Sequence, residues 1–347
     1  MSRMKVLFLF FSVALAASCN KSATPPDPNS VAGKISGDGV FIINEGNYLA
    51  GNGSLSFYSY STSQIYNDLF LQANGRPLGD VPYSMVISGS KGYIVVNNSG
   101  NIEVLDKNTL TSLKTISGLN SPRNILVLNS EKAYVSSLYS NSLAIVNLSN
   151  NSVSGSINIG HSSEAMVQFG NKAYISCWYG GKNVMVINTV TDKVIDSVVV
   201  ASEPESMVLD KNNQLWVLCN GGWARLNYAN LMVINTSSNV IEKQFVFPSK
   251  LLSPTNLRIN STRDTVYFVE TGIWRMGIQS SVLPDKPFKQ SGGRQIYKLG
   301  VDSRNGRIFY TDALDYQQKG FVLQLTSGGY PKDSCRTDII PGSLCFK

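Results

Sequence analysis

AYISCWYGGKNVMVINTVTDKVIDSVVV, residues 173–200, is the stretch from which the fold of this chain is predicted. It consists of a short apolar run that carries Tyr174, an alternating run at 184–188, a polar turn at 191–193 and a last apolar run. Side chains that alternate with a period of two, broken by Asn, Asp and Gly, are typical of half-buried antiparallel strands. The stretch therefore predicts consecutive antiparallel strands joined by short turns.

The aromatic strand of this stretch recurs along the chain about every forty to fifty residues. A Pro-x-x-apolar turn precedes several copies, for example at 122–125 and 204–207, and an alternating run with a polar turn follows them. Four short strands per repeat of about forty residues is the pattern of a β-propeller blade. Seven copies predict seven blades, and the fixed register of the aromatic residue predicts that it packs between blades. The aromatic residues are Phe41, Tyr93, Tyr134, Tyr174, Trp216, Tyr267 and Phe309.

The two ends of the repeat region predict how the propeller closes. The first aromatic strand, at Phe41, has no Pro-x-x-apolar element before it, whereas residues 341–346 (PGSLCF) match the missing element. We therefore expect the C-terminal strand to join the first blade as its innermost strand, because closure removes exposed strand edges. The predicted fold is all-β: a single seven-bladed β-propeller with four-stranded blades, spanning residues 37–347.

Composition and charge exclude several classes of function. Of the 347 residues, 43% are hydrophobic and 15% are charged, which is typical of an ordered globular protein. The net charge of +7 is spread thinly, without the Lys/Arg block of a nucleic-acid-binding protein. His161 is the only histidine, which argues against a multi-histidine metal site. Since the chain also lacks the common catalytic motifs, it is predicted to be a non-enzyme without cofactor or metal.

The N-terminal residues predict export. Arg3 and Lys5 precede an apolar run of twelve residues, which is too short to span a bilayer comfortably and suits a signal peptide. Small residues just before Cys19 resemble a bacterial lipobox, which predicts a signal peptide at 1–18 and acylation of Cys19. Residues 19–36 then form a proline-containing flexible tether. The alternative is an ordinary signal peptide followed by an unmodified cysteine.

These features predict a protein held at the outer membrane by its lipid anchor alone. Asn20 stands where an aspartate is associated with retention at the inner membrane, which favours the outer membrane. The periplasmic face and the cell-surface face both stay open.

Propeller geometry predicts the position of a binding site. The turns that enter the innermost strands and the turns that follow the aromatic strands lie on one face, around the mouth of the central channel. Loops rich in Trp, Tyr, Arg and Asn suit a large, flat, partly polar ligand or a protein partner; the alternative is that these aromatic residues pack against neighbouring blades. The candidate ligand-binding residues are Tyr48, Tyr83, Asn97, Arg123, Tyr139, Trp178, Tyr179, Glu205, Trp223, Arg225, Trp274, Arg275 and Tyr316.

Two acidic patterns on this face offer other chemistry. Glu203 and Glu205 are close enough in sequence to form a carboxylate pair that binds a cation or serves as acid and base. His161 and Glu164 invite interpretation as a dyad. A solvated turn in the first case and a polar surface loop in the second are the simpler interpretations.

The cysteines downstream of Cys19 give two expectations. Cys177 and Cys219 occupy the same repeat position in adjacent blades, whose sheets pack about 10 Å apart, and a disulfide requires Cα atoms within about 7 Å. We therefore expect buried free thiols at both positions. Cys335 and Cys345 flank the closure segment, and a disulfide between them stays open.

The strings AYVSS…LAIVNLSNNSVSGSINIG and AYISC…VMVINTVTDKVIDSVVV resemble the repeat of YVTN-type seven-bladed propellers, over roughly residues 39–347. With the lipobox and the tether, the chain resembles the propeller lipoproteins of Bacteroidetes, a YncE-like and surface-layer-like group. Some of those bind corrinoids beside a TonB-dependent transporter. The resemblance implies a monomeric envelope protein whose channel-mouth face binds a corrinoid, another small molecule, or a protein partner such as a TonB-dependent transporter.

Two other classes stay open. Seven-bladed propellers include lactonase-like enzymes and relatives of an amine dehydrogenase subunit, and a lactonase needs a metal or an acid–base cluster in its channel. Only Glu164, Glu203, Glu205 and His161 offer such a cluster in the sequence. The third class is a surface-layer or adhesion protein, for which a surface rich in Ser and Asn is sufficient.

Overall fold

The computed structural model describes residue 27 and residues 29–347, so the predicted signal peptide (1–18) and the predicted lipidation site, Cys19, lie outside the described residues. The described residues form seven four-stranded antiparallel sheets. The innermost strands of neighbouring sheets contact each other around a complete ring. The molecule is therefore a seven-bladed β-propeller, and the predicted fold class is confirmed.

The first blade contains both ends of the propeller. Its outer three strands are β1 (Gly39–Asn44), β2 (Ser54–Ser59) and β3 (Gln64–Tyr66), and its innermost strand is β28 (Pro341–Phe346). β28 pairs antiparallel with β1, and Phe41 of β1 lies opposite a residue of the C-terminal strand. The last strand of the chain thus closes the ring as predicted.

Blades 2 to 7 each use four consecutive strands, ordered from the channel outwards. The strands of blades 2 to 4 are β4 (Pro82–Ser88), β5 (Lys91–Val96), β6 (Asn101–Asp106), β7 (Ser112–Ile116); β8 (Pro122–Val127), β9 (Lys132–Ser137), β10 (Ser142–Asn147), β11 (Ser152–Asn158); and β12 (Met166–Phe169), β13 (Lys172–Cys177), β14 (Asn183–Asn188), β15 (Lys193–Val199). The strands of blades 5 to 7 are β16 (Pro204–Leu209), β17 (Gln214–Cys219), β18 (Asn230–Asn235), β19 (Ile241–Val246); β20 (Thr255–Ile259), β21 (Thr265–Val269), β22 (Gly272–Gly277), β23 (Lys289–Gln290); and β24 (Ile296–Val301), β25 (Ile308–Asp312), β26 (Lys319–Leu325), β27 (Pro331–Ile339).

The aromatic residue of each second strand is buried between blades, as predicted. All seven are at most 7% exposed. Tyr174 in blade 4, for example, packs in one apolar cluster with Leu215 and Val217 of blade 5. Its hydroxyl donates a hydrogen bond to the carbonyl oxygen of Thr236, also in blade 5, over 2.9 Å. Apolar packing and a polar contact thus connect neighbouring blades through the same side chain.

Two short helices pack against the first blade: α1 (Val31–Lys34) and α2 (Leu69–Asn74). Ile35, directly after α1, is fully buried in an apolar cluster that includes residues of α2. The last part of the predicted tether, residues 31–36, therefore docks on the propeller, because its apolar side chains have a surface to cover. No helical period in the sequence predicts α2, which has six residues and buries only two of them. Neither helix of the described residues is long and apolar enough to cross a membrane.

The four cysteines of the described residues are free thiols. Cys177 and Cys219 are buried in adjacent blades, and burial raises the pKa of each thiol to about 12, which confirms the expectation for this pair. Cys335 lies on β27, the outermost strand of blade 7, whereas Cys345 lies on β28, the innermost strand of blade 1. The pair that the sequence left open is thus not bridged in this structure.

Deleting residues 341–347 tests the closure of the ring. The deletion removes β28, so β1 loses one of its two partners and the first blade loses the strand that contacts β4 and β24. We expect the truncated chain to lack the cooperative thermal transition of the wild-type monomer, measured by circular dichroism and size-exclusion chromatography. Both deletions are made in the soluble chain, residues 20–347. The control deletion removes seven residues, 20–26, from the N-terminal end of that chain. An unchanged melting temperature after the C-terminal deletion would contradict this closure.

Tyr174 separates packing from hydrogen bonding. Tyr174→Ala leaves a cavity between blades 4 and 5 and should lower the free energy of unfolding by roughly 3–5 kcal/mol. Tyr174→Phe keeps the ring and removes the hydroxyl that donates to Thr236, so its loss should be nearer about 1 kcal/mol. Urea denaturation measures both values. Equal losses in the two variants would show that the ring itself does not stabilise the interface.

Candidate functional site

The innermost strands direct selected side chains into a central channel. In blades 1, 2, 3, 5, 6 and 7, the register between the first and second strand shifts near the start of the innermost strand. Such a shift is a β-bulge, which re-aims side chains locally. In blade 2 it falls between Pro82 and Ser84 and leaves Tyr83 without a partner in the pairing. The Pro-x-x-apolar pattern therefore marks bulges at the channel.

The channel encloses a cavity of about 240 Å³ to which all seven blades contribute. Most of the groups that line it are polar, and several come from the bulges. The lining residues are Tyr83, Asn124, Ile125, Glu164, Ala165, Met166, Glu205, Ser206, Met207, Asn256, Arg258, Lys298, Gly342 and Ser343.

Three consecutive blades build the densest polar cluster of the channel. Arg123 of blade 3 donates from Nε to Oε2 of Glu164 of blade 4 over 2.7 Å, and both side chains are nearly buried. The hydroxyl of Tyr83, from blade 2, donates to Oε1 of the same carboxylate over 2.8 Å. The Arg123 guanidinium also lies over the Tyr83 ring, 3.5 Å from its centroid. Burial raises the pKa of Tyr83 well above its ordinary value, so the phenol remains a donor.

A second pair lies where blades 1 and 7 meet. Tyr297 donates from its hydroxyl to Oε1 of Glu45 over 3.0 Å. Burial raises the pKa of Glu45, while the nearby Lys298 ammonium and the hydrogen bond from Tyr297 oppose the rise. The bulged residue of β28 is Gly342, and a Cβ at this position would collide with the Glu45 carboxylate. Glycine is therefore required here so that the backbone of β28 can lie against the Glu45 side chain.

Two further cations that line the channel, Arg258 and Lys298, have few partners. Arg258 donates from Nη1 to the carbonyl oxygen of Leu257 over 2.8 Å. Its burial lowers the pKa of the guanidinium, and the Glu205 carboxylate opposes that effect. The Lys298 ammonium lies 5.3 Å from the ring centroid of Tyr83. Among the described residues, no carboxylate lies within ion-pair distance of either cation.

Exposed aromatic side chains surround the mouth of the channel. Tyr48, Tyr139, Tyr179 and Trp223 are between 69% and 94% exposed. They lie in loops that follow the second strands of blades 1, 3, 4 and 5, as the sequence predicts for this face. We refer to these four residues as the aromatic rim.

Trp178 connects the rim to the channel. It follows β13 next to Tyr179 but is half-buried, and the Arg123 guanidinium lies 5.3 Å from its ring centroid. Its indole N–H is buried and has no hydrogen-bond partner among the described residues. An unpaired buried donor is costly unless something accepts its hydrogen bond.

Three further predicted site residues hold the loops in place. Asn97 donates from Nδ2 to the carbonyl oxygen of Pro122 over 2.9 Å, which joins blades 2 and 3. Arg225 donates to a backbone carbonyl of the loop before β20. Tyr316 packs edge-to-face against Tyr297, with ring centroids 5.6 Å apart.

Trp274 and Arg275 lie elsewhere than the sequence predicts. Both belong to β22, the third strand of blade 6, because the hairpin before it is a tight turn of two residues, 270–271. Trp274 stacks on Phe268 at 6.3 Å and lines an apolar cavity of about 670 Å³ between blades 5 and 6. Arg275 extends over the ring of Phe288, 4.3 Å from its centroid. Neither residue belongs to the rim around the channel.

The residues of the two acidic patterns, His161 with Glu164 and Glu203 with Glu205, contact different groups and do not form pairs. His161 is exposed, whereas Glu164 is bound by Arg123 and Tyr83, so the dyad interpretation is not supported. Glu205 accepts a hydrogen bond in the channel from the backbone N–H of Asn256 over 3.0 Å. Glu203 instead accepts from a backbone N–H of the loop after β13. The described part of the chain holds no group of three or more His, Cys, Asp or Glu side chains arranged around a metal position.

Sequence reasoning missed Arg258 and Lys298 as site residues. Arg258 pairs with Tyr267 of the second strand. The residues that pair with the equivalent aromatic in other blades, such as Val86 and Val208, are apolar. A cation at a repeat position that is otherwise apolar was therefore the available signal. Lys298 falls inside a bulge, whose position no local pattern marks when Ile replaces the proline.

Glu45→Gln tests the environment of the channel carboxyl. A carboxyl whose pKa is raised by folding stabilises the protein below its unfolded pKa, and that contribution is lost as the pH rises through the folded pKa. Gln cannot ionise but keeps an oxygen that accepts from Tyr297. The free energy of unfolding of the variant should therefore rise relative to wild type as the pH is raised from about 4, near the ordinary pKa of a glutamate, through neutral pH.

Urea denaturation across this pH range measures the difference, and Glu131→Gln on the surface is the matched control. A difference between Glu45→Gln and wild type that does not vary with pH would contradict the raised pKa.

Residues 38–333 match the family described as "Domain of unknown function (DUF5074)". Because the match covers most of the chain, the chain belongs to this family. A comparison with curated proteins finds no match.

Solved structures of other propellers resemble this fold at low sequence identity. A quinonprotein alcohol dehydrogenase-like protein from Bacteroides thetaiotaomicron is 15% identical with a TM-score of 0.70, over 90% of this chain and 79% of that chain. The periplasmic gluconolactonase of Pseudomonas aeruginosa is 8% identical with a TM-score of 0.68, over 89% and 99%. Virginiamycin B lyase from Staphylococcus aureus is 13% identical with a TM-score of 0.59, over 75% and 85%. These likenesses show the fold alone.

Proposed function

We propose that this member of the DUF5074 family is a ligand-binding protein of the cell envelope that binds through the channel-mouth face. The observation that carries the proposal is the aromatic rim: Tyr48, Tyr139, Tyr179 and Trp223 are largely exposed on the loops of one face. Large aromatic side chains rich in contact area are enriched at binding surfaces, where they become buried by the ligand.

The chemistry around the rim favours a broad ligand with both flat and polar parts. Aromatic faces stack on planar groups, and the four rings of the rim are exposed for such contact. The channel below supplies carboxylate, guanidinium and amide groups. A corrinoid, a wide ring edged with amides, matches this combination and is our specific candidate.

The cellular setting of the proposal rests on the sequence. Export by the predicted signal peptide and acylation of Cys19 would hold a monomeric propeller on the outer membrane, with the docked segment 31–36 at the base of the tether. Uptake through a TonB-dependent transporter would make that transporter its protein partner. This setting places ligand capture next to transport.

A lactonase-like enzyme is the second candidate, and the Arg123–Glu164–Tyr83 cluster is the observation that favours it. A carboxylate and a phenol within hydrogen-bond distance beside an open cavity are a common arrangement for proton transfer. Among the described residues, no comparable cluster of side chains favours an amine-dehydrogenase-like role or an adhesive role.

Direct binding tests the proposal. The soluble chain, residues 20–347, is titrated with cyanocobalamin by isothermal titration calorimetry, beside the triple variant Tyr139→Ala/Tyr179→Ala/Trp223→Ala. We expect saturable binding by wild type and at least tenfold weaker binding by the triple variant, since each tenfold corresponds to about 1.4 kcal/mol. Tyr330→Ala removes an equally exposed aromatic from the turn between β26 and β27, on the opposite face, and is the matched control.

Two outcomes would contradict the proposal. Undiminished binding by the folded triple variant would remove the rim as the site, and no binding of cyanocobalamin would remove the corrinoid. Parallel assays with gluconolactone and with a glycan array then distinguish the enzyme from the adhesion protein.

A further inference from the structure

The central channel holds as many carboxylates (Glu45, Glu164 and Glu205) as cations (Arg123, Arg258 and Lys298), but only one of each forms an ion pair. Glu164 and Arg123 form a buried ion pair, and each neutralises the other. Glu45 accepts a hydrogen bond from Tyr297, and burial raises the pKa of its carboxyl, which disfavours its anionic form. Neither Glu45 nor Glu205 lies within ion-pair distance of Arg258 or Lys298, although the Lys298 ammonium is near enough to oppose the rise in the pKa of Glu45.

Those two cations, Arg258 and Lys298, have donors without partners. Arg258 can donate five hydrogen bonds, and the described residues accept one of them, at the carbonyl of Leu257. Lys298 has no hydrogen-bond acceptor or ion-pair partner among the described residues; its ammonium lies over the rings of Tyr83 and Tyr297, at 5.3 Å and 5.1 Å. Both side chains line the cavity. Both side chains are half-buried, and an anion bound in the cavity would compensate their charge.

The cavity limits the size of that anion. Its volume of about 240 Å³ lies below the roughly 300–1,000 Å³ of pockets that bind drug-sized ligands, so a small ligand is favoured. The remaining wall offers the amide oxygens of Asn124 and Asn256, whose NH2 groups donate to neighbouring residues, and the hydroxyl groups of Ser206 and Ser343. Such a wall suits a ligand with hydroxyl groups more than an apolar one.

We propose that the channel binds a small hydroxylated carboxylate, whose carboxylate group is held by Arg258 and Lys298. The planar guanidinium matches a carboxylate through two parallel hydrogen bonds, and the ammonium adds a third donor. The amide and hydroxyl groups of the wall then meet the hydroxyl groups of the ligand. This site does not rest on the proposed function, because it lies within the channel and uses none of the rim residues.

Calorimetry with small probes tests the site in the soluble chain. L-malate and D-glycerate are the carboxylates, glycerol is the uncharged counterpart of glycerate, and inorganic phosphate is the general anion. We expect saturable one-to-one binding of at least one carboxylate and no binding of glycerol. Arg258→Gln and Lys298→Gln should each weaken that binding at least tenfold, because each removes a charged hydrogen bond.

The controls separate recognition from folding and from general charge. Lys193→Gln removes the same charge from the exposed outer strand β15 and should bind as wild type does. Thermal unfolding checks that each variant is folded, and Lys298→Gln keeps the test decisive if Arg258→Gln does not fold. Phosphate binding as tight as that of both carboxylates would replace the proposed carboxylate site with a general anion site.

Absence of binding by both carboxylates at concentrations of tens of millimolar would overturn the inference. Binding that is unchanged in both Arg258→Gln and Lys298→Gln would overturn it as well. Neither result bears on cyanocobalamin, so this inference and the proposed function fail separately.

Discussion

No blade of this propeller can bury its own aromatic second strand, because a single sheet has two faces and only its neighbours cover them. Phe41 and Tyr174 are therefore buried because neighbouring blades follow one another around the ring. The pairing of β28 with β1 closes that ring. Backbone hydrogen bonds between Gly39 and Lys347 continue the pairing to the last residue. The C-terminal strand, although last in sequence, thus completes the first blade, which packs against both blade 2 and blade 7.

Closure also creates the site, because it brings seven innermost strands around one axis. Bulges at their starts turn polar side chains into a space where water is scarce, and buried polar groups need partners. Tyr83, Arg123 and Glu164 satisfy one another across three blades. Arg258 and Lys298 do not find equivalent partners among the described residues. The bulges therefore produce both the hydrogen-bonded cluster of Tyr83, Arg123 and Glu164 and the unpaired donors of Arg258 and Lys298.

The repeat allowed the fold to be predicted, because aromatic register and turn chemistry are local properties that recur in every blade. The rim residues could be predicted for the same reason, since a loop position follows from its strand. The prediction that Trp274 lies in a loop was wrong because the hairpin between β21 and β22 is shorter than the equivalent hairpins of the other blades. The third strand of blade 6 therefore begins before Trp274. The partners of Glu164 could not be predicted, because they come from blades 2 and 3 and meet only after the ring has closed.

Fold likeness leaves function open, since propellers of different chemistry resemble this chain at 8% to 15% identity. What distinguishes such proteins is the set of side chains that the bulges and loops present. In this chain, the side chains of the bulges contact a side chain of the loops. Arg123 lies between the ring of Tyr83 in the channel and the ring of Trp178 beside the rim, at 3.5 Å and 5.3 Å, while Glu164 holds its guanidinium. Through Arg123, the polar cluster of the channel thus contacts Trp178, the residue next to the rim.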